Sequence, residues 1–140
     1  MDTAIKIFYY VARVFFFLAF IYLVLVILLR IYWNFKSKRM RGKPLPLLDG
    51  EFSRLKKGKG MVYFFSPTCK PCKEMEPIIK KLSRDAKIKV VRVDVNKKPE
   101  LARKFGVLAT PCEILTKDGK IVKIFLGPAT EGDIRKALEL

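Results

Sequence analysis

Residues 61 to 85 read MVYFFSPTCKPCKEMEPIIKKLSRD, and the change of pattern inside this stretch decides the fold. Its first part, MVYFFS, is an apolar and aromatic run too short for a helix and bounded by turn residues, which predicts a buried central strand. From Cys69 onward the period changes. Met75, Ile78, Ile79 and Leu82 recur at helical spacing with lysines on the remaining face, so a helix follows the strand almost directly. Pro71 fits the first turn of that helix, where a missing N–H is harmless. Pro77 removes an internal hydrogen bond and predicts a bend. Cys69 and Cys72 therefore stand at a strand-to-helix junction, as a metal clip, a static crosslink or a dithiol that exchanges electrons.

On the N-terminal side, GEFSRLKKGKG (residues 50 to 60) predicts a short helix, with Phe52 and Leu55 three apart and an exit at Gly58 and Gly60. On the C-terminal side, IKVVRVDV (88 to 95) is strand-like, and KKPELARKFGV (97 to 107) is a short helix opened by Pro99 and Glu100 and closed by Gly106. Residues 112 to 126 form two β-branched runs joined through Asp118-Gly119, a type I′ hairpin signal. Glu113, Lys117, Lys120 and Lys123 are expected to form its solvated face. TEGDIRKAL (130 to 138) closes the chain as a helix, with Thr130 and Asp133 at capping-box spacing. Helix, strand, helix, strand, helix, hairpin, helix is the order of an α/β fold: one mixed sheet flanked by helices on both faces.

The first third of the chain has another character. Residues 7 to 29, IFYYVARVFFFLAFIYLVLVILL, carry one charge, Arg13, and would make about 34 Å of helix. That matches a hydrocarbon core of about 30 Å and predicts one transmembrane helix. Arg13 lies near the start of the segment and can snorkel, while Tyr9, Tyr10, Tyr32 and Trp33 fall where amphipathic rings prefer the interface. Arg30 follows the apolar run where a signal peptide would have a small-residue cleavage site, so the segment reads as a retained anchor. The expected organisation is an anchor over residues 1–33, a basic juxtamembrane linker over 34–46 and a folded domain over 47–140.

Charge and cysteine count exclude other classes. The formal charge of +16 divides into +7 over residues 1 to 44 and +9 over residues 45 to 140. Beside an anchor, that surplus suits anionic lipid headgroups, so membrane lipid is an expected partner. Nucleic acid is not, because no groove-reading helix, RNA-binding module or aromatic stacking pattern accompanies the basic runs. The six Lys and Arg that closely follow the apolar run, against two before it, put the domain on the cytoplasmic side by the positive-inside rule, with the extracytoplasmic side as the alternative. Three cysteines and no histidine fall one ligand short of a four-coordinate zinc site.

At a helix N-terminus, unsatisfied N–H groups and the positive end of the helix dipole stabilise a thiolate, and Lys70 adds a charge beside Cys69. Cys69 is thus expected to ionise readily. Cys72, one turn further in, is expected to be more buried and placed to attack a mixed disulfide on Cys69. An exposed nucleophile paired with a buried resolving thiol is what disulfide exchange requires. Cys112 reads first as a small core residue on the hairpin.

A strand ending in Cys-Lys-Pro-Cys-Lys, a helix carrying Pro77, then Thr110-Pro111 ahead of a hairpin ending in Gly127 and a last helix: in combination these resemble thioredoxin over residues 45 to 140. The resemblance implies a cis Pro111 lying against the active-site cysteines and a backbone at Thr110 that receives the substrate chain. It also implies catalytic roles for Cys69 and Cys72 and a tuning or structural role for Lys70 and Pro71. Three positions depart from the family: Lys70 stands where a Gly is usual, and the other two lie before the first cysteine. The buried acid expected six residues before the first cysteine is Tyr63, leaving proton transfer to water or to another group such as Glu74, and the Trp expected before the first cysteine is Thr68.

The expected protein is a membrane-anchored thiol-disulfide oxidoreductase needing no organic cofactor. Its partners would be a protein disulfide or dithiol substrate and a reductase or oxidase that resets the pair. A metal-binding Cys-x-x-Cys module, or a non-catalytic scaffold for a membrane partner, are the alternatives.

Overall fold

The computed structural model describes residues 2–85 and 88–140. The chain divides into a long N-terminal helix and a compact unit that begins at Met40. Helix α1 runs Asp2–Met40, 39 residues or about 58 Å. Its most apolar window has a mean hydropathy of 2.9, so one helix is long and apolar enough to cross a membrane. Near its C-terminal end the Lys36 ammonium lies 5.3 Å from the centre of the Trp33 ring, a cation–π contact.

Residues 34 to 46, expected as a linker, behave as two pieces. Asn34 to Met40 continue the helix, because no breaker occurs before Gly42, which takes a φ of 78°. Beyond it the chain lies alongside the C-terminal hairpin: the Gly42 N–H donates to Ile121 O at 2.7 Å, the Ile121 N–H to Lys43 O at 2.9 Å, and the Leu45 N–H to Gly119 O at 3.0 Å. An outer strand leaves backbone groups unpaired, and this segment satisfies some of them. Leu45, the first apolar residue after the basic run, is buried by the contact.

The compact unit carries β1 Lys59–Phe65, α2 Lys70–Asp85, β2 Lys89–Asp94, α3 Pro99–Lys104, β3 Cys112–Lys117, β4 Lys120–Leu126 and α4 Glu131–Leu138, preceded by a 3-10 turn at Gly50–Lys56. The sheet order is β2-β1-β3-β4, with β1 parallel to β2 and antiparallel to β3, and β3 antiparallel to β4. Asp118 and Gly119 both have positive φ, as the two-residue turn between β3 and β4 requires. The Thr130 hydroxyl caps α4 by accepting from the Asp133 N–H at 3.1 Å. Helix α2 is continuous past Pro77, which faces solvent, so water can serve the Lys73 carbonyl that loses its helical donor there.

Two apolar layers cover the sheet. On one face Phe52, Leu55, Ala102 and Phe105 pack on Val62, Phe64, Val91, Val93 and Ile114. On the other, Met75, Ile79 and Leu82 of α2 and Ile134 and Leu138 of α4 pack on Met61, Tyr63 and Leu115. The inner strands β1 and β3 are thus covered on both sides, which is why MVYFF is apolar throughout rather than alternating.

Gly60 marks the tightest approach between layers. A Cβ there would collide with Leu55 Cδ2 and stand 3.0 Å from Thr116 Oγ1 and 3.1 Å from Lys89 O. Gly60→Ala is therefore expected to lower the stability of the compact unit by about 1–3 kcal/mol, read as a lower urea midpoint for the detergent-solubilised chain.

Candidate active site

Strand β1 ends at Phe65, and only Ser66 to Cys69 separate it from α2. The Cys69 N–H donates to Ser66 O at 3.1 Å, and the Ser66 and Thr68 hydroxyls are 3.1 Å apart, so the connection is a hydrogen-bonded turn. Cys69 is half-buried and sits just before the first residue of α2. Cys72 is buried, with 4% of its surface exposed. The two are joined as a disulfide with Cα atoms 5.3 Å apart. The Cys72 N–H points at Cys69 Sγ from 3.2 Å. When the bond is open, that N–H and the helix N-terminus both favour negative charge on Cys69 sulfur. Lys70 and Pro71 are exposed on the rim of the first turn.

Thr110 and Pro111 leave the same end of the sheet, since Cys112 at the start of β3 is paired with Phe64 near the end of β1. Their peptide bond is cis, Pro111 is buried, and its carbonyl accepts from the Gly127 N–H at 2.8 Å. Beside them lies a shallow groove of about 320 Å³ lined by Ser66, Asn96, Val107, Leu108, Ala109 and Thr110. Leu108 is 71% exposed there.

Beneath the cysteines a single row crosses the sheet. Arg92 of β2 is paired with Tyr63 of β1, Tyr63 with Glu113 of β3, and Glu113 with Phe125 of β4. Directly opposed residues share a face, so all four point toward α2 and α4. The Tyr63 hydroxyl donates to Cys72 O at 3.1 Å and ties the row to the first turn of α2. Arg92 turns away from the middle of the row: its guanidinium pairs with Glu76 of α2 and stacks 5.3 Å above the Phe65 ring. Glu113 is left fully buried, and neither carboxylate oxygen has a hydrogen-bond partner among the described residues. Burial pushes its carboxyl up to about 8. Burial, followed by the nearby Glu113 and Glu76 charges, pushes the Tyr63 hydroxyl up to about 12. Cys112 is a free buried thiol, also raised to about 12 by burial and then by Glu113, which makes it a poor nucleophile.

The thioredoxin family model matches residues 48–140. The chain belongs to the thioredoxin family. Thioredoxin of Bacillus subtilis (strain 168) is 34% identical over 82 residues, covering 56% of this chain and 79% of that protein. Among solved structures, mitochondrial thioredoxin 3 of Saccharomyces cerevisiae in its oxidized form superimposes with a TM-score of 0.56 at 29% identity, covering 62% of this chain and 83% of that one. The thioredoxin of Fasciola hepatica also gives 0.56, at 32% identity, covering 62% and 84%. The protein is accordingly a thiol-disulfide oxidoreductase, and the α/β fold expected from the sequence is the thioredoxin fold.

One expectation needs correcting inside this thioredoxin-family frame. Glu113 does not share a solvated hairpin face with Lys117 and Lys120, which are exposed. The inward and outward sides of a hairpin alternate only where one face is wet, and β3 is an inner strand covered on both. The signal that could have found it is that Glu113 is the only acid in β1, β3 and β4. Glu74, named as another group that could take the proton, lies on the exposed side of α2.

A carboxyl whose folded pKa is raised above its unfolded value stabilises the fold least at high pH, because the unfolded chain ionises first. For Glu113 the loss runs from about 4.5 to about 8 and then levels off. Glu113→Gln is therefore expected to unfold much like the parent near pH 4.5 and to become more stable than it by a few kcal/mol at pH 8. Urea midpoints of both oxidised proteins across that range give the comparison.

Proposed function

We propose that this thioredoxin-family enzyme is held at a membrane by α1 and exchanges electrons with protein disulfides through the Cys69-Lys70-Pro71-Cys72 dithiol. The Cys69 thiolate attacks one sulfur of a substrate disulfide, forming a mixed disulfide while the other substrate sulfur leaves and takes up a proton. Cys72 loses its proton and attacks Cys69 Sγ. The second substrate thiol is released, and the Cys69–Cys72 disulfide holds the two electrons' worth of oxidation. A partner reductase resets the dithiol; a partner oxidase would drive the same steps backwards. Substrate backbone is received at Thr110 and Pro111, beside the groove that carries exposed Leu108.

The observation that carries this reading is the half-buried Cys69 sulfur at the N-terminus of α2 with the Cys72 N–H directed at it from 3.2 Å. Lys70 adds positive charge at the same point, which stabilises the reduced form and makes the pair more oxidising. Cys69→Ser is expected to abolish reduction of a peptide disulfide by the full chain. Cys72→Ser is expected to stop after one step and accumulate the mixed disulfide, seen by mass spectrometry as an adduct of one substrate half. An unaltered rate in Cys69→Ser would falsify the assignment.

The anchor rests on the apolar 39-residue helix and its flanking charge. The excess of Lys and Arg after the apolar run supports a cytoplasmic compact unit. With the dithiol reduced, an impermeant maleimide is expected to label Cys69 in inside-out vesicles and to leave it unlabelled in right-side-out ones. The reverse pattern would move the enzyme to the opposite redox compartment.

A further inference from the structure

The thiol of Cys72 must lose a proton before it can attack, and with 4% of its surface exposed it has little bulk water to lose it to. Tyr63 occupies the strand position below it and is a weak acid whose hydroxyl is already donated to Cys72 O. Glu76 shares a surface pocket with Cys72, but its carboxylate is held by Arg92 and by Lys80 at 3.9 Å. One carboxyl on this face is uncommitted. Glu113 is fully buried, directly opposite Tyr63 across the β1–β3 ladder, and both its oxygens lack partners among the described residues. Leaving a buried carboxyl unsatisfied is destabilising, so the residue is costly as a purely structural choice.

We propose that Glu113, one strand over from the Tyr63 position, is the internal proton acceptor that serves Cys72 when it attacks Cys69. The proposal rests on the dithiol reading above. In the step, the Cys72 S–H bond breaks and its proton passes to the Glu113 carboxylate. The Cys72 sulfur bonds to Cys69 Sγ, the Cys69–substrate S–S bond breaks, and the substrate leaves as a thiolate. On reduction by the partner, the Glu113 carboxyl returns the proton to Cys72. Glu113 thereby acts on the resolving thiol without contacting substrate.

The titratable groups around this face are Tyr63 on β1, Cys72 and Glu76 on α2, Arg92 on β2 and Lys123 on β4, with Cys112 next to Glu113 along β3 but on the opposite face of the sheet. Arg92 is engaged by Glu76, and Lys123 lies 4.5 Å from the centre of the Phe125 ring and near Asp133 of α4, so neither is paired with Glu113. A carboxyl that titrates near 8 is close to an ordinary thiol, which allows the proton to move in either direction with little driving force.

The test is single-turnover kinetics of the reduced full chain in detergent with a symmetric peptide disulfide, quenched in acid and read by mass spectrometry. Formation and decay of the mixed disulfide give the two steps separately. Glu113→Gln is expected to form the adduct within about two-fold of the parent rate and to resolve it at least about ten-fold more slowly at pH 7. It should also lose the rise in resolution rate centred near pH 8. Glu76→Gln is expected to resolve normally. Unchanged resolution in Glu113→Gln, or the defect appearing in Glu76→Gln instead, would overturn the proposal while leaving the dithiol enzyme intact. Failure of the parent to form any adduct would instead remove the dithiol reading itself and the proposal with it. A second measurement does not depend on a variant's kinetics. The reduced-minus-oxidised infrared spectrum of the parent at pH 8 should show a protonated-carboxyl band that Glu113→Gln lacks, and its absence from the parent overturns the assignment.

Discussion

The N–H of Cys72 directed at the sulfur of Cys69 depends on how short the path is from β1 to α2. Four residues turn the chain from an inner strand to a helix whose axis begins at the second cysteine's own turn. The strand is held in place from both sides, by the α2 and α4 layer and by the layer from the 3-10 turn and α3. Without that two-sided burial the junction would not be fixed, and the sulfur would face solvent with no oriented donor. The same register brings Thr110 and Pro111 to the cysteine end of the sheet, because β3 starts where β1 finishes. Site and core are therefore one construction.

Electrostatics below the cysteines follow from the row Arg92, Tyr63, Glu113 and Phe125. A guanidinium beside a carboxylate would have lowered its pKa and fixed it as an anion. Here Glu76 draws the guanidinium away, and a phenol stands between Arg92 and Glu113. The carboxyl therefore stays in an apolar setting and favours its neutral form. That arrangement sacrifices stability as the pH rises from about 4.5 to about 8 and leaves a group able to take or give a proton near the pH at which thiols ionise. Cys112, one residue away, is also buried and has Glu113 itself as its negative neighbour, which keeps a third thiol from competing with the pair.

Outside the site, the chain protects its sheet with material that composition marks as polar tether. Residues 42 to 45 hydrogen-bond along the hairpin and bury Leu45, so the segment after the long helix contributes to the compact unit. Arg41 joins it, its Nε donating to Val122 O at 2.9 Å. This fixes where the folded part begins.

Much of this was legible from residue order. The period change at residues 66 to 69, the Asp118-Gly119 turn, the Thr130 cap and the long apolar run each express a local rule of backbone geometry or burial, so the α/β order and the position of Cys69 and Cys72 follow from the chain alone. Tertiary structure decided what local rules cannot: that residues 42 to 45 pair with a strand about eighty positions away. It also decided that Glu113 points into a covered face. A strand's alternation tells which residues share a side, but only the packing of other elements tells which sides are dry. For Glu113 that difference separates a surface charge from a buried acid within the row that supports the cysteines.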